Sequence, residues 1–153
     1  MANIVFNIAK GRVVEYYNRV KGNDPANSAI ILVPLETSGL EADSVLIDKD
    51  DLAAVLSGAT NEQSTMGRKT LTDSDLASLP APDDTNDRYD VSLPTVTWTA
   101  ASGNAISKIL VCYDSDTTGG TDSNIIPLTM FDFAQTPNDA DIQMTTGVFF
   151  RAS

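Results

Sequence analysis

Apolar and polar positions alternate at both ends of the chain, whereas helical spacing is confined to the first half. From 3 to 8, Ile4, Phe6 and Ile8 lie on one side and Asn3 and Asn7 on the other, which predicts a half-buried strand. Arg12 to Lys21 fits two periods. Val13, Tyr17 and Val20 recur as on a helix, while Val14, Tyr16 and Val20 fit a strand of residues that favour strands. The helix is preferred, because Gly22 followed by Asn23-Asp24-Pro25 makes a natural stop. Ala29-Ile30-Ile31-Leu32-Val33 is apolar throughout, as a strand covered on both faces would be, and Pro34 ends it. Within the stretch Ser44 to Gly58 a helix is expected. Asp48 or Asp50 would cap it, Leu52, Val55 and Leu56 would form its buried stripe, and Gly58 its left-handed stop. Arg68 to Leu71 predicts a short strand, and Thr72 to Leu76 one further helical turn.

Leu79-Pro80-Ala81-Pro82-Asp83-Asp84-Thr85-Asn86-Asp87 is the main interruption, a loop made by two prolines and an acidic cluster. Beyond it the chain reads as short strands cut apart by Asp, Gly and Thr turns. Val96, Trp98 and Ala100 alternate with Thr95, Thr97 and Thr99. Ile106 to Tyr113 predicts a central strand, and Ile125 to Phe133 another, with Pro127 marking an edge or a bulge. Ile142 to Thr145 and Val148 to Arg151 are expected to finish the sheet. The fold class expected is mainly β (α+β): an antiparallel β-sandwich or jelly-roll-like second half, with one or two short helices in the first. A length of 153 residues suits one domain spanning 1–153. A subdivision remains open, with an α/β part at 1–79 and an all-β part at 88–153 joined by the loop 80–87.

Charge narrows the partners. Ten Lys and Arg against 21 Asp and Glu give a net charge of -11, which repels phosphate backbones and argues against nucleic acid. No stretch approaches the roughly 20 apolar residues that cross a bilayer, so no membrane partner is expected. Synthesis and folding in the cytoplasm follow as the expectation.

The chain has no histidine and one cysteine, Cys112, set in the apolar run Ile109 to Tyr113. The commonest general base is therefore missing, and Cys112 reads as a small buried hydrophobe. Asp114-Ser115-Asp116-Thr117-Thr118-Gly119 resembles the opening of a calcium loop, but the twelfth position is Ile125 where a bidentate glutamate belongs. Asp83, Asp84, Asn86, Asp87 and Asp90 offer oxygens without a ligand spacing. Nothing selects one carboxylate as acid and another as base, and Gly119-Gly120 is followed by no phosphate-loop lysine. No catalytic residue, no cofactor and no metal are expected, and the chain reads as a binding protein that is not an enzyme.

Several stretches resemble the small virion structural proteins of tailed bacteriophages, in particular proteins that decorate or cement the capsid. They are Asn7-Ile8-Ala9-Lys10-Gly11-Arg12, Asn23-Asp24-Pro25-Ala26-Asn27-Ser28-Ala29 and Asn61-Glu62-Gln63-Ser64-Thr65-Met66-Gly67-Arg68. The late pattern adds Leu110-Val111-Cys112-Tyr113-Asp114, Ile126-Pro127-Leu128, Phe131-Asp132-Phe133, Thr136-Pro137 and Gly147-Val148-Phe149-Phe150-Arg151. Together these span most of the chain, and none is a chemical motif. The resemblance implies a homotrimer on the outer surface of the capsid, with the major capsid protein as partner and the virion as location. Two alternatives stand beside it: a fibre or adhesin module binding host glycans through aromatic residues, Trp98 and the tyrosines among them, and loop residues, and a head–tail connector or tail component.

Surplus apolar surface at the two termini marks the expected contact. Ile4, Phe6 and Ile8 share one face of the first strand, while Phe149 and Phe150 point to opposite faces of the last, beside Arg151. One of the two rings can enter the domain's own core and the other needs a cover. Burying such groups contributes roughly 1.5–3 kcal/mol each. These six residues are the candidate subunit or capsid interface; the alternative is that both strands complete the chain's own sheet.

Overall fold

The computed structural model describes residues 3–153. Its strands are β1 (Asn3–Val5), β2 (Ala29–Glu36), β3 (Lys69–Leu71), β4 (Tyr89–Leu93), β5 (Val96–Ala101), β6 (Ile106–Asp114), β7 (Ile126–Gln135), β8 (Ala140–Met144) and β9 (Gly147–Ala152). Its helices are α1 (Val13–Lys21), α2 (Asp43–Leu46), α3 (Leu52–Leu56) and α4 (Asp73–Leu76), with short 3-10 turns at Asn7–Ala9 and Asp122–Asn124. Five antiparallel strands form the central sheet in the order β1-β7-β6-β2-β3, while β4-β9 and β5-β8 are separate two-stranded ribbons. The fold is α+β with several antiparallel sheets. The central sheet takes β1, β2 and β3 from before the loop 80–87 and β6 and β7 from after it.

Strand alternation divides the interior in two. In β2, Ile30 and Leu32 enter one core, and Ala29, Ile31, Val33 and Leu35 enter the other. In β6, Ile109, Val111 and Tyr113 join the first, while Leu110 and Cys112 join the second. This is why both strands read as unbroken apolar runs: each face is covered. The first face carries α1, α4 and the two ribbons, and the second carries Phe6, α2 and α3. Of α1, Val13, Tyr16, Tyr17 and Val20 are buried, the i, i+3, i+4, i+7 stripe of an amphipathic helix. The segment that fitted two periods is thus a helix, and Asn23, with φ 51°, takes the left-handed position after it.

Local corrections follow from packing. The first strand ends at Val5, because Phe6 turns into the second core with no exposure and residues 7–9 form a 3-10 turn. The helix expected within 44–58 is α3, with Leu52 and Val55 buried; Asp51, rather than Asp48 or Asp50, caps it by accepting the Ala54 N–H at 2.7 Å, and the separate helix α2 precedes it. Gly58 is not left-handed. A Cβ there would meet the Glu41 carboxylate at 2.4 Å, so close approach explains the glycine. Ala100 faces solvent rather than the core, since its φ of 47° breaks the alternation and brings Ala101 inward. Four helices are present where one or two were expected, and all precede β4. The last two strands do not finish the central sheet; β8 pairs β5 and β9 pairs β4. Pro127 sits at a bulge, opposite Cys112, where the β6–β7 register shifts.

Candidate functional site

The six terminal residues divide between core and surface. Phe6 and Phe149 are 0% and 5% exposed, so the chain's own cores hold these two rings. Phe149 packs against Tyr17, ring centres 6.1 Å apart. Ile4 is half-buried against the second core, and Phe150 is half-buried against the first. Ile8 is 36% exposed. Arg151 is exposed, and its guanidinium holds the Asp90 carboxylate across the β4–β9 pair, with the second nitrogen at 3.2 Å. That hydrogen bond and charge hold Asp90 below the usual carboxylate range. The sheet places β1 on an outer edge beside β7, and β9 in a ribbon packed nearby, with Phe131 of β7 in the same core as Phe149.

An apolar cleft opens beside the last strand. Leu93, Phe131, Met144 and Phe149 line it together with Thr145, Gly147 and Val148, of which Val148 is 47% exposed. Its volume is about 50 Å³, room for one small aliphatic group. The register explains it. Val91 pairs with Phe150 and Ser92 with Val148, which leaves Phe149 as the bulged residue aimed inward and Val148 outward. Sequence reasoning singled out the two rings but missed Leu93, Met144 and Val148. Alternation through Val148-Phe149 carried the signal for Val148; the approach of Leu93 and Met144 depends on ribbon packing that no local pattern records.

Several carboxylates have structural partners. Arg68 holds two of them: its Nε and Nη2 donate to Glu62 at 2.8 and 2.7 Å, and its Nη1 and Nη2 donate to Asp122 at 2.7 and 2.9 Å. Asp122 is lowered chiefly by these bonds. In the 114–124 turn, Asp114 accepts the Asp116 N–H and Asp116 accepts the N–H and hydroxyl of Thr118, which makes stacked Asx turns. Arg88 Nε lies 3.3 Å from Asp90 in ionic contact without hydrogen-bond geometry. Among the described residues no group of three or more His, Cys, Asp or Glu side chains converges as metal ligands would. Cys112 is fully buried in the second core, and burial pushes its thiol well above the ordinary value.

The aromatic residues sit inside. Trp98 is 1% exposed and its indole N–H donates to the Gly67 carbonyl at 3.0 Å. Tyr16, Tyr17, Tyr89 and Tyr113 are all buried, Tyr16 stacked on Tyr113 at 4.6 Å. A sugar-stacking platform needs an exposed ring face. None of these five residues supplies one. No helix among the described residues is long and apolar enough to cross a membrane. Compared with protein-family models, with curated proteins and with solved structures, the chain matches none.

Proposed function

We propose that the chain is a non-enzymatic decoration or cement protein of a tailed-phage capsid, binding the major capsid protein on the outside of the shell. The observation that carries this reading is the apolar cleft lined in part by exposed Val148 on the last strand. It offers an apolar surface for contact, and the Asp90 carboxylate of the same β4–β9 ribbon is engaged by Arg151. A small cleft gives modest affinity at one contact. Repetition over a lattice, and over the subunits of a homotrimer, multiplies it. Trp98 and the four tyrosines are internal, so a glycan-binding role would rest on the loops rather than on these rings.

The reading is tested by adding purified protein to capsids that lack it and heating them. A decorating protein raises the temperature at which the shell releases its contents, saturating at a fixed number per shell. Val148→Asp, a change at an exposed position, is expected to remove this effect while leaving the protein folded. Shells that soften at one temperature with or without the protein would refute the reading.

A further inference from the structure

Residues 10–21 carry Lys10, Arg12, Arg19 and Lys21 but a single acid, Glu15, in a chain with only ten cations against 21 acids. Helix α1 anchors itself through Val13, Tyr16, Tyr17 and Val20, which leaves Lys10, Arg12 and Arg19 at the surface. Arg12 and Arg19 share Glu15, at 3.2 and 3.0 Å, so two guanidinium groups divide one carboxylate. Arg12 also lies over the Tyr16 ring, 4.5 Å from its centre, which holds the cation in place. Helix α4 packs beside α1 and brings Asp73 and Asp75; Asp75 is turned back onto the Thr72 N–H at 2.8 Å.

The other face of the sheet has the opposite character. Residues 41–51 hold Glu41, Asp43, Asp48, Asp50 and Asp51 against Lys49 alone. Lys108 pairs with Asp43 at 3.4 Å and Asp51 caps α3, which leaves Asp48 and Asp50 as the exposed acids of this segment, with Val45 45% exposed. Ile8 belongs to the same junction, since the Asn7 N–H donates to the Ile47 carbonyl at 2.9 Å. The cationic helix packs on the first core and the acidic helices on the second, so one chain cannot bring these surfaces together.

We infer that the cationic face of α1 docks on the acidic, Val45-centred face of α2–α3 in a second copy of this chain, head to tail. Two different patches then meet, which makes the contact heterologous: it closes into a ring or runs on as a filament, and does not form a two-fold dimer. Charge complementarity orients the copies, and Val45 and Ile8 supply the apolar centre. The inference does not depend on the capsid reading, because association is measured with the purified chain alone.

Sedimentation velocity over a concentration series tests it, at about 0.01 M and about 1 M salt, between which the screening length falls from about 30 Å to about 3 Å. Association is expected at low salt and dissociation at high salt. Arg12→Glu/Arg19→Glu is expected to weaken association at least about tenfold through like-charge repulsion. Asp48→Lys/Asp50→Lys, on the other face, is expected to do the same, and it decides the matter where the helix variant does not fold. An equimolar mixture of the two variants is expected to recover association. A wild-type chain that stays monomeric at low salt, or association that survives either double substitution, overturns the proposal.

Discussion

Arg68 grips Asp122 through two parallel hydrogen bonds, of 2.7 and 2.9 Å, while its other edge holds Glu62. One side chain thereby fastens the irregular segment before β3 to the 3-10 turn before β7. The three side chains are 17–36% exposed, so water weakens the pairing without abolishing it. Arg68→Ala leaves two part-buried carboxylates facing each other, and we expect a loss of about 1–3 kcal/mol in urea melts at pH 7.

The same pair has a definite pH signature. Asp122 is depressed in the folded state, so its contribution is present above its unfolded pKa, about 3.9, and is lost as pH falls through the lower folded value. Wild type is expected to lose stability along this limb between about pH 5 and the folded pKa, and Arg68→Ala to show a flatter one. Urea midpoints measured from pH 7 to pH 3 check this. Parallel curves for the two proteins would contradict it.

Two glycines separate conformational need from freedom. Gly103 has φ 106° and a Cβ there would meet the Gln63 side chain at 2.5 Å. Gln63 is buried and donates to the Asn104 carbonyl at 2.8 Å while accepting the Thr65 N–H at 2.9 Å. Gly103→Ala is expected to cost about 1–3 kcal/mol. Gly119 has open space around it and no left-handed φ, so Gly119→Ala is expected to be neutral or to stabilise by about 0.4–1 kcal/mol. Thermal melts of the two variants give the comparison.

Thr129 predicts a gain. Its side chain is 0% exposed in β7, and its hydroxyl has no hydrogen-bond partner among the described residues. Valine has nearly the same shape without the polar atom. Thr129→Val is expected to raise stability by about 1 kcal/mol, because it removes the penalty of an unpaired buried hydroxyl. A drop of similar size in the melting free energy would show that the hydroxyl is bonded in solution.

Much of the local structure was legible. Val13, Tyr17 and Val20 mark the helix stripe, the run around Ile31 marks a strand covered on both faces, the run around Leu110 marks a central strand, and Pro127 marks the place that proves to be a bulge. Pairing was not legible. The strands Ile142 to Thr145 and Val148 to Arg151 alternate as sheet strands do, but alternation does not name a partner, and theirs are β5 and β4. Ala100 was misplaced because one left-handed residue inverts the pattern beyond it. At the candidate site, Phe149 and Phe150 were visible as a pair that sends one ring inward. The cleft was not, since it arises where two ribbons and β7 meet.

The most direct measurement is a reconstruction by electron cryo-microscopy of tailed-phage virions whose genome encodes this chain, with the wild-type protein and with Val148→Asp. The account predicts density of this fold on the outer surface of the shell at a repeating lattice position, with the β9 cleft turned towards the capsid protein. It predicts that this density is lost in the variant. Virions that carry no such density, or that carry it with the cleft facing solvent and unaffected by Val148→Asp, would contradict it.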